Sequence, residues 1–130
     1  MTDDYAATMP FAVALGIRIT SAVPEEVIGE FDWAAERTTL GGALHGGALM
    51  SFADSVGAVC AFLNLPAGAS TSTTSSSTVF LRGVRSGTVS ATAHPLHVGR
   101  STIAIATQLR DDEGRLVAQV TQTQAVLSAG

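Results

Sequence analysis

Asp54 is the only formally charged side chain between Arg37 and Arg82, and it follows the histidine of a His45-Gly46-Gly47 step by nine residues. The residues around it, 46–63, are otherwise apolar or small, the composition of a buried helix. A carboxylate in such a segment costs several kcal/mol unless it is hydrogen-bonded, paired or used. No partner lies close to it in sequence. Two expectations follow: a catalytic acid, or a buried carboxylate bonded to nearby hydroxyls.

The glycines point to complementary chemistry. A helix entered through Gly46-Gly47 has free backbone N–H groups at its positive end, and glycine lets a ligand oxygen approach them closely. Such donors stabilise negative charge developing on a carbonyl oxygen. Close helix–strand packing is the alternative role for the pair. Asp54 lies about 12 Å along the helix axis from Gly46 and about 80° around it. The two therefore cannot meet one small group within a subunit, although a long substrate lying between two subunits could reach both. His45, at the helix entrance, is a candidate for a hydrogen-bonding role there and, second to that, for proton transfer.

Composition narrows the classes. At 130 residues and 46% apolar content the chain is expected to fold as one domain around one core. Its net charge is −4 and lysine is absent, which argues against a broad nucleic-acid-binding face. Arg82, Arg85 and Arg100 flank predicted strand ends or turns, where a small phosphorylated ligand suits them better than a polymer. The acidic start (Met1-Thr2-Asp3-Asp4) does not resemble a signal peptide, and the longest apolar run is too short for a bilayer, so a cytoplasmic protein without membrane attachment is expected. A single cysteine, Cys60, sits in the apolar helix and reads as an inert core thiol. His94 and His97 straddle Pro95, and period two places them on opposite strand faces, so no metal site is expected.

These residues need elements to hold them. Residues 9–17 read as a helical turn ending at Gly16 and leading into a strand. Val27, Gly29, Phe31 and Trp33 alternate with Ile28, Glu30 and Asp32, the pattern of a half-buried strand. A Thr/Gly loop over residues 36–42 precedes the helix of residues 46–63, which Asn64, Pro66 and Gly68 close. Nine consecutive hydroxyl residues, 70–78, run directly into Val79-Phe80-Leu81 and form a strand rather than a disordered tract. Strands follow at about 87–98, 101–110 and 115–127, with a tight hairpin turn at Asp111-Asp112-Glu113-Gly114 and a bulge or edge position at Pro95. The predicted order is β-β-α-β-β-β-β: an α+β fold in which a curved antiparallel sheet wraps one long central helix. One such layer leaves an edge and an apolar face uncovered, so self-association is expected.

The run GALHGGALMSFAD at residues 42–54 resembles the signature of the hotdog-fold acyl-CoA thioesterases, most closely the phenylacetyl-CoA and 4-hydroxybenzoyl-CoA thioesterase branch. FLRGVRSG at 80–87, VGRS at 98–101 and LRDDEGRL at 109–116 resemble that family's later strand ends and turns, so the likeness spans roughly residues 17–127. The resemblance implies an acyl-CoA substrate whose thioester carbonyl is polarised by the Gly46 N–H, beside Gly47. Asp54 from the other subunit of a dimer would act as nucleophile or base. Thr73, or Ser72 if the register differs by one, would orient the water. Arg82, Arg100 and Ser101 would hold the nucleotide phosphates of coenzyme A, and no cofactor is implied beyond the coenzyme A of the substrate. The family tends toward dimers and dimers of dimers. One position departs from its pattern: Thr39 stands where an Asn or Gln is common. An aromatic or medium-chain acyl group would suit the apolar helix lining. Two further readings accompany hydrolysis: a non-catalytic acyl-CoA sensor or carrier, and an acyl-thioester hydratase or dehydratase.

Overall fold

A computed structural model describes residues 3–128. Two short helices, α1 (Asp3–Ala7) and α2 (Pro10–Leu15), lead into β1 (Arg18–Val23) and β2 (Glu26–Asp32). Pro10 opens α2, and Gly16 closes it in the left-handed conformation (φ 72°), which turns the chain into β1. A 3-10 turn at Ala35–Arg37 precedes the central helix α3 (Gly46–Leu63). Four strands follow: β3 (Ser70–Phe80), β4 (Thr88–Val98), β5 (Thr102–Arg110) and β6 (Leu116–Leu127).

All six strands form one antiparallel sheet in the order β1-β2-β4-β5-β6-β3, and α3 contacts every strand. The sequence places the long strands and α3 correctly. Neither α1 nor the 3-10 turn is apparent in it, because each is too short to show a hydrophobic period. Alternation along β2, β4 and β5 buries Val27 and Phe31, then Val89, Ala91 and Ala93, then Ile103, Ile105 and Leu109. These meet Phe52, Ala53, Val56 and Cys60 of α3, and the Phe31 and Phe52 rings lie 4.6 Å apart. By length and mean hydropathy (18 residues, 1.5) α3 is apolar enough to cross a bilayer. Its buried stripe of Leu49, Phe52, Val56 and Val59 nevertheless identifies it as the core helix of a wrapped sheet. Cys60 is part of that core, and burial pushes its thiol pKa up to about 11.

One expectation about β4 is corrected. A bulge at Leu96 breaks the period-two alternation, so His94 pairs with Ala106 and His97 with Ala104, two residues apart on β5. The two histidines therefore share the outer face of the sheet rather than opposite faces. Pro95 marks the bulge within an interior strand, not an edge.

The edge strands are β1 and β3. β3 pairs on one side only, along the whole of β6 from Ser70↔Leu127 to Phe80↔Ala118. Its other side presents free backbone donors and acceptors over 11 residues.

Candidate active site

The loop before α3 is held by its backbone. Leu44 N–H donates to Val84 O (2.8 Å), His45 N–H to Arg37 O (2.8 Å), and the Trp33 indole to Gly42 O (2.9 Å). His45 is the residue preceding the helix, and its Nδ1 accepts the Gly47 N–H at 2.8 Å. This is the expected hydrogen-bonding role. It also settles which donor is free: Gly47 is used internally, whereas among the described residues the Gly46 N–H has no partner. The Phe80 ring packs beside Gly46, where an added Cβ would lie 3.2 Å from its edge. Gly46, Leu49, Phe80 and Arg82 line a depression of about 360 Å³ at this mouth. Thr39 is exposed in the preceding loop, where its N–H donates to Ala43 O (2.8 Å).

Two turns further along α3, Asp54 faces the start of β3. Thr73 Oγ1 donates to Asp54 Oδ1 at 2.7 Å, which satisfies part of the isolated carboxylate. Alternation along β3 sends the Ser72 side chain to the opposite face, so Thr73 is the hydroxyl the fold brings to Asp54. Asp54, Thr73, Met50, Ser51 and Ser76 line a second depression of about 290 Å³, which shares no residue with the one at Gly46.

Two site residues went unnoticed in the sequence. Gln122 Nε2 donates to Asp54 Oδ1 at 3.0 Å, and Gln124 Nε2 donates to Thr73 Oγ1 at 2.8 Å. Both amides are essentially fully buried. Their signal was present: they continue the inward set of Ala118 and Val120 along β6 at period two, where apolar residues are the rule.

The basic residues are divided between two places. Arg82 follows the C-terminal end of β3, whereas Arg100 and Ser101 form the β4–β5 turn at the sheet end where β3 begins, with β6 between them. Along β6, the partners of Phe80 and Thr73 are Ala118 and Gln124. Six residues of extended strand separate these rows by about 20 Å. A single chain thus carries a Gly46–Phe80–Arg82 cluster at one end of β3 and an Asp54–Thr73 cluster toward the other, with Arg100 and Ser101 at that same end of the sheet, beyond β6.

Residues 41–118 match the family model of the thioesterase superfamily. A Mycobacterium tuberculosis relative, Rv1847, provisionally named an esterase, is 32% identical over 115 residues, covering 86% of this chain and 82% of its own. Among solved structures, a glutamine-to-alanine mutant of thioesterase PA1618 from Pseudomonas aeruginosa is 27% identical with a TM-score of 0.92, covering 98% of this chain and 94% of that one. Thioesterase HI1161 from Haemophilus influenzae is 26% identical with a TM-score of 0.87, covering 91% and 82%.

Proposed function

The chain belongs to the thioesterase superfamily and is a thioester hydrolase of the hotdog fold, and we propose that it cleaves acyl-CoA esters at a site completed by a second copy of itself. The observation that carries this reading is the separation of its two half-sites to opposite ends of one unpaired edge strand. A two-fold axis through the middle of β3, pairing it antiparallel with its copy, would bring each Thr73 end beside the partner's Phe80 end. Asp54 and Thr73 of one chain would then face the Gly46 N–H of the other.

In that arrangement the thioester oxygen accepts the Gly46 N–H. The Asp54 carboxylate either attacks the acyl carbon, giving an anhydride that water opens, or takes a proton from the water that attacks. Both routes place negative charge on the carbonyl oxygen, where the helix N-terminus stabilises it. The thiolate of coenzyme A leaves. Arg82 of one chain and Arg100 of the other would lie on the same side of the site and hold phosphate. One helical turn beyond Asp54, Ala58, Val59 and Phe62 join Tyr5 and Met9 around an apolar cavity of about 490 Å³, which suits an aromatic or medium-chain acyl group.

Thiol release from acetyl-, hexanoyl-, decanoyl-, palmitoyl- and benzoyl-CoA, with wild type and Asp54→Asn in parallel, tests the assignment. Turnover of at least one ester should fall on the order of 10²-fold or more in the variant with oligomeric state retained. Undiminished turnover in Asp54→Asn would remove Asp54 from the chemistry.

A further inference from the structure

Gln122 stands out because the fold tolerates two unfavourable features around it. Its Oε1 is buried with no hydrogen-bond partner, in a residue only 1% exposed. An unpaired buried acceptor is destabilising and is rare in folded proteins. The second feature is Gly57, in the middle of α3, where glycine weakens a helix relative to alanine. A Cβ at Gly57 would collide with the Gln122 amide. Both features converge on one contact, the Gln122 Nε2 hydrogen bond to Asp54 Oδ1 at 3.0 Å.

We infer that Gln122, with Gln124 behind Thr73, is a positioning residue that engages Asp54 Oδ1 and leaves Oδ2 as the oxygen that reacts. This rests on the reading of Asp54 as the catalytic carboxylate. An ionised carboxylate only accepts hydrogen bonds, so the nitrogen of Gln122 must face it. Gln124 fixes the second bond. Its Nε2 donates to Thr73 Oγ1, while its Oε1 lies 3.0 Å from the Thr71 hydroxyl, whose one proton it shares with Ala125 O at 2.8 Å. With the Thr73 oxygen already accepting, its single proton points to Asp54 Oδ1. Oδ1 thus receives two donors, and among the described residues Oδ2 receives none. Thr73 of β3 and Gln122 of β6 thus hold Oδ1, and Asp54 lines the depression together with Met50, Ser51 and Ser76.

The position follows a general expectation, that sequences break local rules where function needs it. A residue kept for packing alone would be better replaced by an apolar one of the same length. Gln122→Met supplies that replacement in the full chain, with kcat and KM for the best ester of the panel and Tm as readouts. The expected result is a kcat lowered about 10-fold or more, KM within about 2-fold of wild type, and Tm unchanged or raised. Gly57→Ala should also lower kcat in wild type. In a Gln122→Ala background, where the amide is gone, it should lower kcat no further and raise Tm. An unchanged kcat in Gln122→Met, or a kcat that falls only together with Tm, overturns the inference. Asp54→Asn run alongside separates the two failures. If Asp54→Asn is inactive and Gln122→Met fully active, the positioning role alone is wrong; if Asp54→Asn is active, the underlying reading is wrong.

Discussion

The two half-sites on α3, one at its N-terminus and one at its midpoint, prepare for chemistry in opposite ways. At the Gly46 end the working group is backbone: the first N–H of the helix, without a partner among the described residues while His45 occupies its neighbour, and bordered by the Phe80 ring. At the Asp54 end everything is side chain, a carboxylate held by Thr73 and Gln122 with Gln124 behind them. A backbone donor is insensitive to most substitutions and yields only to changes that remove the N–H or displace the helix start. A side-chain network fails one member at a time. The two ends should therefore respond differently to mutation even if they serve one reaction.

The deepest loss is expected at the acid, where Asp54→Asn leaves packing intact and removes the reactive oxygen. Gly46→Pro is the equivalent deletion at the other end. Proline is favoured at the first position of a helix, and His45 already has the extended backbone (φ −63°, ψ 136°) that a following proline requires. The N–H disappears while the helix remains and the Phe80 ring gives by a few tenths of an ångström. The kcat should fall on the order of 10²-fold with far-UV dichroism unchanged. Gly46→Ala, which makes the same contact with Phe80 but keeps the N–H, should lose far less. Full activity in Gly46→Pro would break the comparison by removing the backbone donor from it.

A smaller effect is expected from the arginines. Arg82→Ala and Arg100→Ala should each raise KM for acyl-CoA several-fold, the increase shrinking at high salt, with little change for a short thioester lacking the nucleotide. Equal effects on both substrates would place these arginines outside phosphate binding. Smallest in activity is His45. His45→Ala removes the contact that occupies Gly47 and should cost about 1 kcal/mol in urea unfolding, with His45→Asn restoring most of it. A loss of turnover as deep as that of Asp54→Asn, at unchanged stability, would instead make His45 a proton carrier.

The same division explains what the sequence disclosed. The Gly46 end was legible because helix boundaries have local signals: His45-Gly46-Gly47 before an apolar run and Asn64 after it matched α3 at both ends. Asp54 was legible because a lone charge in an apolar helix is conspicuous. Of its partners, Thr73 was reached only through the family resemblance and Gln122 not at all, since they lie 19 and 68 residues away and meet it only through strand register. The choice between Ser72 and Thr73 was likewise one of register, which composition alone does not fix. His94 and His97 changed faces for a related reason, because one bulged residue inverts the alternation beyond it.

The central claim, that each working site draws Asp54 from one chain and Gly46 from another, is tested most directly by subunit complementation. Asp54→Asn and Gly46→Pro chains, each inactive alone, are co-refolded in equal amounts and assayed for thiol release. A site shared across the two-fold axis gives every mixed dimer one intact site, so about a quarter of wild-type activity should return. If both residues served the same site within one chain, every site would carry a defect, and the mixture would stay as inactive as its components.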